Sequence, residues 1–187
     1  MAFINEQTKE VNCKIVYYGP PRCGKSTSLR YIAKKEELVS LSTDEDHTLY
    51  FDFIPLSLGT IRGHKIRLHL YTVPGELAYK NARKLISKGV DGVIFLADSQ
   101  LECLEQNLTS MVELKEMMEE EGVDWENFPL VLQYNKRDLT NAIPVAELKK
   151  LLNPRSVPEF ETVATQGRGV LEALKSAASQ VLKSLKN

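Results

Sequence analysis

Apolar and polar positions divide the chain into two kinds of segment that alternate from end to end. Residues 11–18 are apolar and β-branched, the pattern of a buried strand, and they run into Gly19-Pro20-Pro21. Residues 25–35 carry helical periodicity. Residues 49–58 and 65–72 alternate, with Leu49, Phe51 and Phe53 on one face of the first and Ile66, Leu68 and Leu70 on one face of the second. The short spacer 59–64 between them predicts an antiparallel hairpin. Residues 77–87 predict a helix. Residues 92–97 are continuously apolar, as in a strand covered on both faces. Leu101, Leu104, Leu108, Met111 and Leu114 recur at helical spacing, so 101–121 predicts a long helix whose apolar stripe faces the core. Strand 129–134, helix 145–152, a brief strand 160–164 and an amphipathic helix 170–185 complete the order.

Strands alternating with helices predict an α/β fold: a mostly parallel six-stranded sheet, one antiparallel edge strand, and helices on both faces. Ligands of such sheets bind beyond the carboxyl ends of the strands. Gly19, Thr72, Asp98, Asn135 and Ala164 all fall at that rim. The 187 residues suffice for one domain with a proper core, and neither repeats nor long linkers interrupt them.

Composition narrows the classes. Hydrophobic residues are 43% and charged residues 26%, as in an ordinary soluble protein. A net charge of -1 supplies no global attraction for nucleic acid or membrane. The three cysteines, Cys13, Cys23 and Cys103, fit no metal template and suit a reducing cytoplasm. The chain ends predict neither a signal peptide nor a lipid anchor, and no run approaches membrane-spanning length. The expectation is a cytoplasmic monomer, carried to any membrane by a partner.

The chemistry sits in two motifs. Gly19-Pro20-Pro21-Arg22-Cys23-Gly24-Lys25-Ser26 fits the phosphate-binding pattern G-x-x-x-x-G-K-[ST], between a strand and a helix as that pattern requires. Glycines let the backbone wrap phosphates, and amides and a helix N-terminus supply partial positive charge. Lys25 is placed to reach the β- and γ-phosphates, and Ser26 to ligate Mg²⁺; Thr27 follows as a further binding residue. Arg22 reads as solvated and Cys23 as a small residue that fits. The bland alternative, a chance glycine-rich turn, is roughly one in ten given the flanking elements.

Asn135-Lys136-Arg137-Asp138 names the base. A carboxylate there accepts from both N1–H and the 2-amino group of guanine, a donor pair that adenine lacks. Asn135 would brace the loop, the Lys136 stem would cover the ring, and Ala164-Thr165 would flank the other side. Alone the tetrapeptide is no more than a polar turn after a strand; downstream of a phosphate loop it points to GTP or GDP with Mg²⁺. Gly75 could offer its amide to a γ-phosphate, and Thr48 could complete the Mg²⁺ shell, against the plainer role of a threonine starting a strand.

Taken together with Thr72-Val73-Pro74-Gly75 and residues 11–20, 48–53, 69–75, 83–86, 89–92 and 133–139, the motif order resembles Ras-like small GTPases, and among them the gliding-motility GTPases of the MglA type. The resemblance spans nearly the whole chain and implies a single Ras-like G domain over 1–187. It implies a polarity or motility switch that binds protein effectors through its switch regions. It also implies reset by a roadblock-type activating protein, polar scaffold partners, and a sliding strand 49–58. Thr72 stands where such proteins usually carry aspartate, and its hydroxyl could orient an Mg²⁺-bound water. Effectors would meet residues 42–48, 49–58 and 75–87, with Tyr50 and Tyr79 as aromatic candidates.

Four departures bear on catalysis. Glu76 stands where the family usually has the glutamine that orients attacking water. His47 stands where an intrinsic arginine is usual, a group worth about 10³–10⁵ in rate. Pro21 replaces a small residue in the phosphate loop, and residues 36–47 are short and acidic at Asp44-Glu45-Asp46. Each could be harmless drift. Together they predict retained GTP binding with weak intrinsic hydrolysis, Gly75 being the remaining γ-phosphate contact. A constitutively GTP-loaded docking protein is the main alternative. A P-loop small-molecule kinase is remote, because no acceptor lid or arginine cluster is present.

Overall fold

The computed structural model describes residues 3–5, 8–35, 53–61, 63–73 and 88–185. His47, Thr48, Tyr50, Gly75, Glu76 and Tyr79, and the expected helix 77–87, lie outside the described residues.

The centre of the sheet is β2 (Glu10–Tyr18), flanked by β4 (His64–Thr72) and β5 (Gly92–Asp98), both parallel to it. β3 (Phe53–Ile61) lies antiparallel on the outer side of β4. On the other wing β6 (Leu130–Asn135) follows β5 and β7 (Glu159–Glu161) follows β6, each in parallel. The spatial order is β3-β4-β2-β5-β6-β7. Every residue of β5 and β6 is buried, so neither alternates: β5 reads as an apolar run up to Asp98, and β6 is apolar apart from buried Gln133 and Asn135.

Helices cover both faces. Cys13, Ile15 and Tyr17 of β2 point to the side where α1 (Lys25–Lys35) and α4 (Val170–Ser184) bury Leu29, Ile32, Val170, Ala177 and Val181. Val16 and Tyr18 point the other way, into a core with Leu114 and Met118 of α2 (Leu104–Glu120) and Leu148 and Leu152 of α3 (Val145–Leu152). This is the expected three-layer α/β architecture.

Four details differ from the sequence expectation. A seventh strand, β1 (Phe3–Asn5), pairs antiparallel with Glu10–Asn12 of β2. It occupies β2 below the point where pairing with β5 begins at Ile15, and three residues are too few to show periodicity. Strand β3 runs through the expected spacer as far as Ile61, because Gly59, at φ +88°, sits at a bulge between Ser57 and Thr60 instead of a turn. The expected helix 101–121 opens with a 3₁₀ turn over Leu101–Cys103. There Leu101 N donates to Asn141 O at 3.3 Å, and the Leu101 side chain is 64% exposed, so it is not core. The last strand ends at Glu161, and Ala164 lies in a turn closed by Gln166 and Gly167 amides.

Candidate functional site

The loop between β2 and α1 wraps tightly against its neighbours. Gly24 has φ +111°, and a Cβ there would strike Nδ2 of Asn135; a Cβ on Gly19 would strike the Leu96 carbonyl oxygen. The backbone is therefore packed where side chains would otherwise stand, which leaves its amides as the lining. Lys25 is only 7% exposed. Its ammonium donates to Gly19 O at 3.0 Å and Pro20 O at 2.7 Å and lies 3.7 Å from Cys23 Sγ, so the positive charge hangs across the loop. Ser28 N donates to Gly24 O at 2.9 Å and joins the loop to the first turn of α1, which carries half-buried Ser26 and Thr27. Arg22 is exposed at φ +58° and also lines the cavity described below, and Pro21 is half-buried. Cys23 is fully buried, and burial pushes its thiol pKa up against the opposing pull of Lys25.

Thr72 ends β4, buried and paired with Tyr17, two residues before Gly19. Val73 N donates to Tyr17 O at 3.3 Å, so this strand end is fastened to the strand that feeds the loop.

The segment after β6 meets the loop through Asn135. Its Nδ2 donates to Cys23 O at 2.7 Å, while its Oδ1 accepts from Ala164 N at 2.9 Å and from Thr162 Oγ1 at 3.1 Å. One buried amide thus ties together three stretches of chain that are distant in sequence. Between them lies a cavity of about 220 Å³ whose walls include Arg22, Gly24, Thr27, Lys136, Asp138, Ala164 and Thr165. Asp138 and Thr165 are exposed at the cavity wall, and Ala164 is buried. The Asp138 carboxylate can accept two parallel hydrogen bonds from a flat ring seated there.

Sequence reasoning gave no role to several residues of this site, Asp98 among them although it fell at the expected rim. Leu139 and Val163 complete the cavity wall. Asp98 pairs with the Lys136 ammonium from the end of β5. Asn107 brackets the Asp98 backbone, and Thr162 braces Asn135. The available signal was an aspartate closing an otherwise apolar strand, since a buried carboxylate needs a partner.

The residues fit a phosphate ligand with magnesium. The tight glycine backbone forms the cradle, and Ser26 and Thr72 offer hydroxyl oxygens of the kind a hard cation accepts. Among the described residues no group of three or more His, Cys, Asp or Glu could hold a metal alone. Magnesium here would take its remaining ligands from phosphate and water, its usual habit.

The ADP-ribosylation factor family matches residues 1–181. The chain is 55% identical, over its full length and 98% of the relative's, to the Mutual gliding-motility protein MglA of Myxococcus xanthus (strain DK1622). It is 29% identical to ADP-ribosylation factor-like protein 4C of Homo sapiens, across 92% of this chain and 88% of that one. Against ADP-ribosylation factor-like protein 4A of Homo sapiens the identity is 26%, across 92% and 84%. This chain belongs to the ADP-ribosylation factor family of Ras-like small GTPases.

Proposed function

We propose that this protein is a GTP-binding switch of the MglA type, a single G domain over residues 1–187 that regulates cell polarity or gliding motility by nucleotide-dependent partner binding. The observation that carries the reading is the Asn135 bridge, which joins the phosphate loop to the Asp138 and Ala164 walls of one cavity. In it Gly19–Ser26 and Thr27 hold the phosphates. Asp138 reads the guanine edge, Lys136 lies along the ring, and Ala164 and Thr165 close the far side. Ser26 holds Mg²⁺, with Thr48 joining when GTP is bound and Thr72 acting through water. The ion supplies charge neutralisation on the phosphates. An identity of 55% over the full length of this chain to a gliding-motility protein supports the process. Effectors, polar scaffolds and a roadblock-type activating protein would act at residues 42–58 and 75–87, in the cytoplasm and at a cell pole.

Hydrolysis is weak in this reading. Glu76 accepts a proton from water but cannot donate to the γ-phosphate, whose charge repels it. His47 is shorter than arginine and lacks its permanent charge. The test is single-turnover phosphate release from bound GTP, with and without a roadblock-type partner. Slow release that the partner accelerates is the expected result; release at the rate of a glutamine-bearing family member would sink the weak-hydrolysis claim. The same two substitutions favour one further reading, a docking protein permanently loaded with GTP. The nucleotide in the purified protein separates the two: GDP indicates a cycle, and GTP alone indicates docking.

A further inference from the structure

We infer that Asp98 is a positioning residue for the nucleotide pocket, gripping the Lys136 ammonium so that the lysine stem stands as one wall of the cavity. This rests on the guanine-nucleotide reading above. Lys136 lines the cavity and has φ +64°, a left-handed backbone that a lysine adopts only when its surroundings hold it there. The backbone is held by its turn, where Leu139 N donates to Lys136 O at 3.2 Å, and the side chain is held by Asp98, whose side chain is 2% exposed against 29% for the lysine. Asp98 is itself immobilised. Its amide donates to Asn107 Oδ1 at 2.9 Å and its carbonyl accepts from Asn107 Nδ2 at 2.8 Å. Its carboxylate also accepts from Gln100 N at 3.1 Å and from Gln100 Nε2 at 3.2 and 3.3 Å. A long flexible cation meeting a fixed buried anion is the partner that must conform. The pair is also a charge balance: Asp98 acts electrostatically on Cys23 in the phosphate loop, so an unpaired carboxylate would oppose an incoming phosphate.

The experiment measures release of a fluorescent GDP analogue in Mg²⁺ from the full chain and three variants: Asp98→Asn, Lys136→Met and the double variant. Lys136→Met keeps an unbranched apolar stem and removes only the ammonium. If the stem alone covers the ring, its release rate matches the parent; if the grip of Asp98 places the stem, release accelerates about tenfold or more, as when one member of a buried charge pair is lost. Asp98→Asn should accelerate release similarly and should add no further acceleration in the Lys136→Met background. The preference for GDP over IDP should stay constant in both, because the stem does not read the 2-amino group. Additive effects, a changed base preference, or parental release in Lys136→Met would overturn the inference. Should Asp98→Asn fail to fold, Lys136→Arg decides: arginine restores the ion pair and should bring release back towards the parental rate, whereas release as fast as in Lys136→Met would overturn it. A parent that retains no GDP overturns the guanine-nucleotide reading itself; a parent that retains it alongside indifferent variants overturns only the role of Asp98.

Discussion

At Gly24 one methyl group is enough to disturb both halves of the pocket. Its φ of +111° is strained for any L side chain, and the added carbon would press on Asn135 Nδ2, the atom that ties Cys23 to the base segment. Gly24→Ala should therefore abolish GDP retention through gel filtration. Nucleotide analysis of the purified variant checks it, and GDP at one equivalent would contradict it. Glu76→Gln works in the opposite sense. On the role proposed for Glu76, it would remove a charge that the γ-phosphate repels and add a donor, so single-turnover phosphate release should rise by at least about tenfold, a modest part of what a charged transition-state contact supplies. At this scale the sequence was most informative. Lys25, Asn135 and Asp138 carry their chemistry in side-chain identity and spacing, and the structure sets them on one rim. Asp98 was placed at the rim without a role, and Thr162 escaped, because their importance comes from what they touch, and touching is a tertiary fact.

Between elements, the helix that follows the phosphate loop leans on the loop that flanks the base. Tyr31 of α1 lies against Gly167 so closely that a Cβ there would enter its ring, and Gly167 has φ +76°. Gly167→Ala should lower the unfolding free energy of the nucleotide-free protein by about 1–3 kcal/mol in urea titration and should also quicken GDP release, since both loops shift together. A second junction binds the far edge. Glu159 on β7 accepts from Lys149 Nζ of α3 at 2.7 Å, from Asn153 Nδ2 at 2.7 Å and from Tyr134 OH of β6 at 3.0 Å. Burial works to raise this carboxyl, but the three donors outweigh it and hold it below the ordinary range. A depressed folded pKa contributes stability above the unfolded value and loses it as pH falls through the folded one. Glu159→Gln should thus lose stability at neutral pH and flatten the acid limb below about pH 4, checked by thermal melts across pH. Strand and helix order was legible from periodicity. The bulge at Gly59 and the 3₁₀ turn at Leu101 were not, because pairing and backbone anchoring decide them after the apolar pattern has been satisfied.

Over the whole molecule, a ligand bound only by the folded state raises stability by mass action. GDP with Mg²⁺ at a hundred times its dissociation constant adds about 2.7 kcal/mol. For a domain of this size that is a melting shift of about 5–11 °C. Excess chelator should remove most of the shift if magnesium is integral to binding; an unchanged shift would mean that the protein holds the nucleotide without the metal. Asp138→Asn should turn the preference from GDP towards xanthosine diphosphate, because an amide can donate to the 2-oxo group where a carboxylate can only accept. Comparing melts with the two nucleotides checks it.

The burial of Cys23 makes the loop its own timekeeper. The thiol lies wholly beneath backbone that a phosphate would touch, so an alkylating reagent reaches it only while that backbone is lifted. The labelling rate of Cys23, read by peptide mass against half-exposed Cys103 as an internal standard, counts those openings directly. The opening frequency of the loop can then be followed in each nucleotide state.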